Sequence, residues 1–162
     1  AKYDAIVNIG VVCVLMRLKK SVTEHFWVNI NDGEVEIPGI IQFSNLRPVD
    51  DTVVYVPFYM PTTHPKFGRD DRAFIDESMA CLKRLNPDLG DDDLKAWTVG
   101  RLRHAQPVCE PGFLAKIPPI QTPIRGLQIA DTSFYYPEDR GISESVRVAE
   151  EMAAAVPASI AA

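Results

Sequence analysis

Residues 10–18, GVVCVLMRL, form an almost unbroken apolar run rich in β-branched side chains. The run is too short and too β-branched for a helix, so it reads as a strand buried on both faces and central in its sheet. Working outward, residues 26–30 (FWVNI) alternate and read as a second strand, ended by Asn31-Asp32-Gly33, a turn signal. Residues 40–46 (IIQFSNL) follow Pro38-Gly39 as a third strand, and residues 53–59 (VVYVPFY) are a fourth. Pro57 has no amide hydrogen to give to a ladder, which places the fourth strand at an edge or bends it there. Short runs separated by turn signals predict an antiparallel meander.

The pattern then switches to helical spacing over residues 70–85. Phe74, Ser78, Cys81, Leu82 and Leu85 fall on one side, and Asp76, Glu77, Lys83 and Arg84 elsewhere. Asp70 and Asp71 at the start, with Lys83 and Arg84 at the end, match the helix dipole, and Asn86-Pro87 stops the helix. Residues 91–93, three aspartates, read as a loop or capping cluster. Residues 94–104 (LKAWTVGRLRH) are a fifth, longer strand, with Trp97 and Val99 on one face and Thr98, Gly100 and Leu102 on the other. Pro107, Pro111, Pro118, Pro119 and Pro123 hold the next stretch extended, with apolar Phe113, Leu114, Ile117 and Ile120 interspersed. A last strand is expected over residues 126–130. A final helix is expected from about 142 to 156, with Ile142, Val146, Ala149, Ala153 and Val156 on one face and Pro157 closing it.

Composition narrows the function classes. An apolar fraction of 46% and a charged fraction of 24% are those of a soluble globular protein. The net charge is −5 with both signs interspersed, and the short basic run at 17–20 is a strand end, so no nucleic-acid footprint is present. Cys13, Cys81 and Cys109 are widely spaced without a CxxC pair, which argues against a disulfide framework or a zinc site. Reduced thiols point to the cytoplasm. No apolar run reaches the length of a membrane span. Three adjacent aspartates do not converge on a cation, and no EF-hand spacing follows them, so no metal is expected. His25, His64 and His104 stand alone, and no nucleophile elbow is present, so no catalytic residue is marked. Phe26, Trp27, Tyr55, Phe58 and Tyr59 read either as sheet packing or as the wall of an apolar substrate cavity.

The chemistry-bearing stretch is residues 126–155, GLQIADTSFYYPEDRGISESVRVAEEMAAA. Strand, turn and helix start in that order leave amide hydrogens and the positive end of a helix dipole pointing one way, an anion site. Arg140 offers a forked donor, and Gly141 permits close approach of the backbone to a ligand or a positive φ. Alternatively, residues 138–141 are a polar helix entry with a local ion pair.

This stretch resembles the C-terminal segment of the flavin-containing amine oxidase superfamily, which includes protoporphyrinogen-oxidase-like flavoproteins; YPEDRG at 136–141 carries most of the likeness. The resemblance implies an α+β substrate domain with a mixed, largely antiparallel sheet and packed helices. It implies residues 1–125 as that domain, 126–156 as a strand–turn–helix segment completing an FAD site, and 157–162 as a frayed tail. Asp131 would approach the ribityl–diphosphate part of FAD, although the glycine usual directly before it is absent here. The backbone of Gly141 and Ile142 would face the flavin's pyrimidine edge, with Arg140 beside them. The parent reaction would move a hydride from a small-molecule substrate to the flavin. No GxGxxG fingerprint occurs in the sequence. A missing N-terminal dinucleotide-binding domain is therefore expected as partner, and the chain alone is expected neither to retain FAD nor to turn over. A chain beginning with alanine suits a fragment. Two alternatives stand beside this reading: a flavin-dependent nucleotide-sugar mutase, and a stand-alone non-enzymatic binding module.

Overall fold

The computed structural model describes residues 3–156. The elements are strand β1 (Asn8–Leu18), β2 (Trp27–Asn29), β3 (Gly39–Gln42), β4 (Thr52–Met60), helix α1 (Asp71–Leu85), β5 (Leu94–Pro107) and helix α2 (Ile142–Ala154), with short 3-10 turns between them. The fold is α+β. The chain divides into two compact units: residues 9–105, and the described parts of 1–8 and 106–162.

In the first unit one sheet runs β2-β3-β4-β1-β5. The β2–β3, β3–β4 and β4–β1 pairings are antiparallel. β1 is internal, as its apolar run requires, but the expectation of two buried faces is corrected. Val12, Val14, Met16 and Leu18 are fully buried, whereas Val11, Cys13 and Leu15 between them are only half-buried. The period-2 pleat sends alternate residues to opposite faces, and a continuous apolar run hides that asymmetry. β4 repeats the pattern from its side, burying Val54, Val56, Phe58 and Met60 opposite Met16, Val14, Val12 and Gly10.

Helix α1 covers this buried face. The Asp70 side chain caps its start by accepting from the Arg72 amide at 2.7 Å, and the Asn86 amide donates to the Leu82 carbonyl at 2.9 Å at its end. Phe74, Ile75, Ser78, Met79, Cys81 and Leu82 are buried; Leu85, expected among them, is 39% exposed in the last turn. Phe58 of β4 meets Phe74 edge-on, centroids 5.0 Å apart.

Two local departures have clear causes. The third strand stops at Gln42, whose buried side chain accepts from the amides of Val22 and Thr23 and donates to Ser21, Thr23 and Asn45. That amide hub turns the chain into a 3-10 turn at Phe43–Asn45. Pro57 lies in an internal strand rather than at an edge. The β3–β4 ladder ends at Tyr55, two residues short of it, so the missing donor falls where no neighbour on that side asks for one.

In the second unit the strand expected over residues 126–130 does not form. A single bridge joins Gln121 and Gln128, and the Leu127 amide donates to the Ile124 carbonyl across a turn in which Gly126 takes φ 82°. Position three of such a turn needs a positive φ, which glycine supplies without strain. Helix α2 forms, but with its apolar stripe turned outward. Val148 is its buried residue, with Met152 half-buried, while Ile142, Val146 and Val156 are 87%, 50% and 42% exposed. Pro157 and the expected frayed tail lie outside the described residues.

Phe74→Ala should lower the unfolding free energy by about 3–5 kcal/mol in a urea titration, because the cavity opens between α1 and the sheet. Ile142→Ala, at an exposed position, should change it by less than about 0.5 kcal/mol.

Candidate functional site

The corner that the sequence singles out is built from local hydrogen bonds. Asp131 caps a 3-10 turn at Thr132–Tyr135: its Oδ1 accepts from the Ser133 amide at 2.8 Å and from the Ser133 hydroxyl. Tyr136 packs edge-on to buried Phe113, centroids 5.4 Å apart, and the peptide between Tyr136 and Pro137 is cis. The Glu138 amide closes this turn onto the Tyr135 carbonyl at 2.8 Å. The Arg140 amide donates to Asp139 Oδ1 at 2.7 Å.

Gly141 is the N-cap of α2. Its φ of −157° is extended backbone open to any residue, so the glycine is not there for a positive φ. What it does is leave the helix start uncovered. No side chain caps that start, and a Cβ at 141 would sit 4.0 Å from the Ser143 amide nitrogen. Ser145 holds the first turn by donating its hydroxyl to the Gly141 carbonyl at 2.9 Å, and it also pairs with the Tyr135 hydroxyl at 2.9 Å. Asp131, Arg140, Gly141 and Ile142 all belong to this one unit.

The aromatic set expected in the first unit is split by the pleat. Phe58 is in the core with Phe74. Trp27, Ile41, Tyr55 and Leu15 form one cross-strand row on the opposite face, since each is the direct partner of the next. Val11 and Tyr59 form a second row on that same face. Trp27 and Tyr59 are 55% and 43% exposed there. Pairs this close act as one apolar surface rather than as isolated side chains.

Sequence reading missed Lys66. Its side chain is 8% exposed, and Nζ lies 2.6 Å from both Glu36 Oε2 and Glu77 Oε1 and 4.9 Å from the Phe58 ring centroid. Glu77 also takes Arg69 at 3.1 Å. The hydrogen bond from Lys66 holds the Glu36 carboxyl below its ordinary range. Partners eleven and thirty residues away leave no local spacing from which to find this cluster. With two carboxylates and an aromatic face on Nζ, it ties the segment before α1 to Glu36 and to the helix. The thiols of Cys13 and Cys81 are pushed up by burial, the reverse of what a nucleophilic thiolate needs.

The aspartates resolve into structural roles. Asp93 accepts from the Gly90 amide at 2.8 Å and pairs with Lys20 at 3.0 Å, Asp91 pairs with Lys83 at 2.7 Å, and Asp51 joins Lys95 of β5 to Arg17 of β1. Among the described residues no group of His, Cys, Asp or Glu could hold a metal ion, and no helix is long and apolar enough to cross a membrane.

No protein-family model matches the chain, and no curated protein matches it in sequence. Solved structures do share its fold. One is an Exiguobacterium sp. 255-15 protein named "Putative protoporphyrinogen oxidase", with a TM-score of 0.60 and 13% identity. The match covers 70% of this chain and 26% of that one, so this chain corresponds to about a quarter of the neighbour's length.

The acid limb of stability follows from two of these carboxyls. Asp51 is held below the usual carboxylate range by hydrogen bonds from Lys95 and then Arg17, and Asp93 by the Gly90 amide and then Lys20. Depressed folded values mean that the stabilisation is full above the unfolded pKa of ~4 and is lost as pH falls through the folded values. Urea midpoints should therefore hold steady from pH ~7 to ~5 and drop toward pH ~3. Asp51→Asn should lower the neutral-pH midpoint and flatten that drop.

Proposed function

We propose that this chain is the substrate-binding part of an FAD-dependent oxidoreductase of the amine-oxidase type, acting on a small molecule. The observation that carries the reading is the fold shared with one quarter of a protein named as a protoporphyrinogen oxidase. It agrees with the resemblance carried by YPEDRG at 136–141.

FAD, when bound, supplies the hydride acceptor for oxidation of a C–N or C–C bond. The residues present fit part of such a group. The start of α2, uncapped by any side chain and flanked by an Ile142 that is 87% exposed, offers amides and a dipole end to the electron-rich pyrimidine edge. Any side chain at 141 would stand beside the Ser143 amide. Asp131 uses Oδ1 for its local cap, which leaves Oδ2 as the oxygen to accept from a ribityl hydroxyl. The Arg140 guanidinium would add a planar donor near the diphosphate. The cradle for the adenosine and pyrophosphate would come from an N-terminal dinucleotide-binding domain. The outward apolar stripe of α2 is surface for such a partner to bury. In the first unit, the row of Trp27, Ile41, Tyr55 and Leu15 would offer an apolar surface to a small molecule. A cytoplasmic location goes with this reading.

Expressing the whole encoded polypeptide tests it. The purified protein should carry flavin, visible by its yellow absorbance, which should bleach when the substrate is added anaerobically. Gly141→Val should weaken flavin affinity about tenfold, the equivalent of one charge-assisted hydrogen bond, while lowering the urea midpoint slightly because valine is a poorer N-cap than glycine. A colourless whole protein that takes up no added FAD would end the proposal.

A further inference from the structure

The strand β5 ends the sheet order, and among the described residues no strand pairs on its outer side. It is 14 residues long, and nearly every residue from Lys95 to Arg103 is exposed on both faces, including Trp97 at 43% and Leu102 at 55%. Soluble proteins blunt sheet edges by keeping them short or by placing charges, proline or a bulge in them. Here the first proline is Pro107, the last residue of the strand. An edge this long and this regular is a template for another strand.

The charges on β5 select the occupant. Lys95 and Arg101 are already paired within the chain, with Asp51 and Asp71, so the edge is nearly neutral apart from Arg103. If a second copy pairs antiparallel with both helix layers on the same side, opposed residues must share a face, and one residue must oppose itself. Centring on Thr98 sets Lys95 against Arg101, and centring on Val99 sets Lys95 against Arg103. Centring on Arg101 or Leu102 opposes arginines. Among the registers centred from Thr98 to Leu102, which pair most of the strand, centring on Gly100 alone brings no like charges together: Val99 meets Arg101, Thr98 meets Leu102, Trp97 meets Arg103, Ala96 meets His104, and Lys95 meets position 105. Each Arg103 then lies against the indole of the opposite Trp97, a cation–π contact made twice. At the axis, a Cβ on Gly100 would meet nothing within 4 Å, so nothing in the chain itself obstructs the approach.

We propose that this protein forms a twofold homodimer by antiparallel pairing of β5 with β5 of a second copy, centred on Gly100, making one continuous ten-stranded sheet. This does not depend on the flavin reading.

The test uses the full 162-residue chain in a Cys109→Ser background, which removes the exposed native thiol. Sedimentation equilibrium should show a dimer. Gly100→Cys should cross-link under mild oxidation, because directly opposed Cα atoms lie about 4.5–5.5 Å apart, within disulfide reach. Thr98→Cys should not, because its two copies would be offset by four residues, roughly 14 Å. Trp97→Lys, which sets a lysine against Arg103, should weaken the dimer roughly tenfold since the contact occurs twice, and adding Arg103→Glu should restore it. A monomer at all concentrations, equal cross-linking of both cysteine variants, failure of Gly100→Cys to cross-link, or no rescue by the charge swap would each overturn the proposal.

Discussion

The first unit depends on one contact layer: the alternating buried face of β1 and β4 against the apolar side of α1. Val12, Val14, Met16 and Leu18 from one strand and Val54, Val56 and Phe58 from the other are sealed under Phe74, Ile75 and Leu82. Each such side chain contributes about 1.5–3 kcal/mol when taken out of water. Because this layer uses only one face of the sheet, Trp27 and Tyr59 on the other face stay exposed, and β5 ends the sheet order.

Polar groups tie the connections to that layer. Gln42 satisfies the backbone of residues 21–23 from inside, which anchors the loop after β1 to the end of β3. Lys66 draws Glu36 and Glu77 together over Phe58, fixing the segment before α1. Asp51 ties β1 to β5. A buried amide or ammonium is tolerable only when its hydrogen bonds are made, and these are. The second unit contrasts with this. Its described apolar core is small, with Phe113 and Val148 buried and Leu114, Ile124, Ile142 and Val146 exposed.

Much of this was legible in advance, for physical reasons that differ from element to element. α1 could be read because its cap, its dipole charges and its 3.6-residue spacing agree with one another. β1 and β4 could be read because long β-branched runs have few alternatives. Residues 126–130 misled because five apolar-leaning positions without a partner strand make no ladder; only the bridge at Gln128 forms. α2 was legible as a helix with an apolar stripe, but periodicity reports which residues share a face, not whether that face is buried, and Ile142 and Val146 are exposed. Pro57 misled because a proline is excluded from a ladder, not from a strand whose ladder has already ended.

Local sequence therefore determined the identity and limits of most elements, the α+β class, and the helix start with glycine at its cap. These follow from interactions within a few residues. The tertiary structure alone decided which face of each strand is buried, that Lys66 would gather carboxylates eleven and thirty residues away, and that Trp27, Ile41, Tyr55 and Leu15 would align in one row. Those outcomes depend on strand register, and register is a property of pairs of segments distant in the chain, which no single segment encodes.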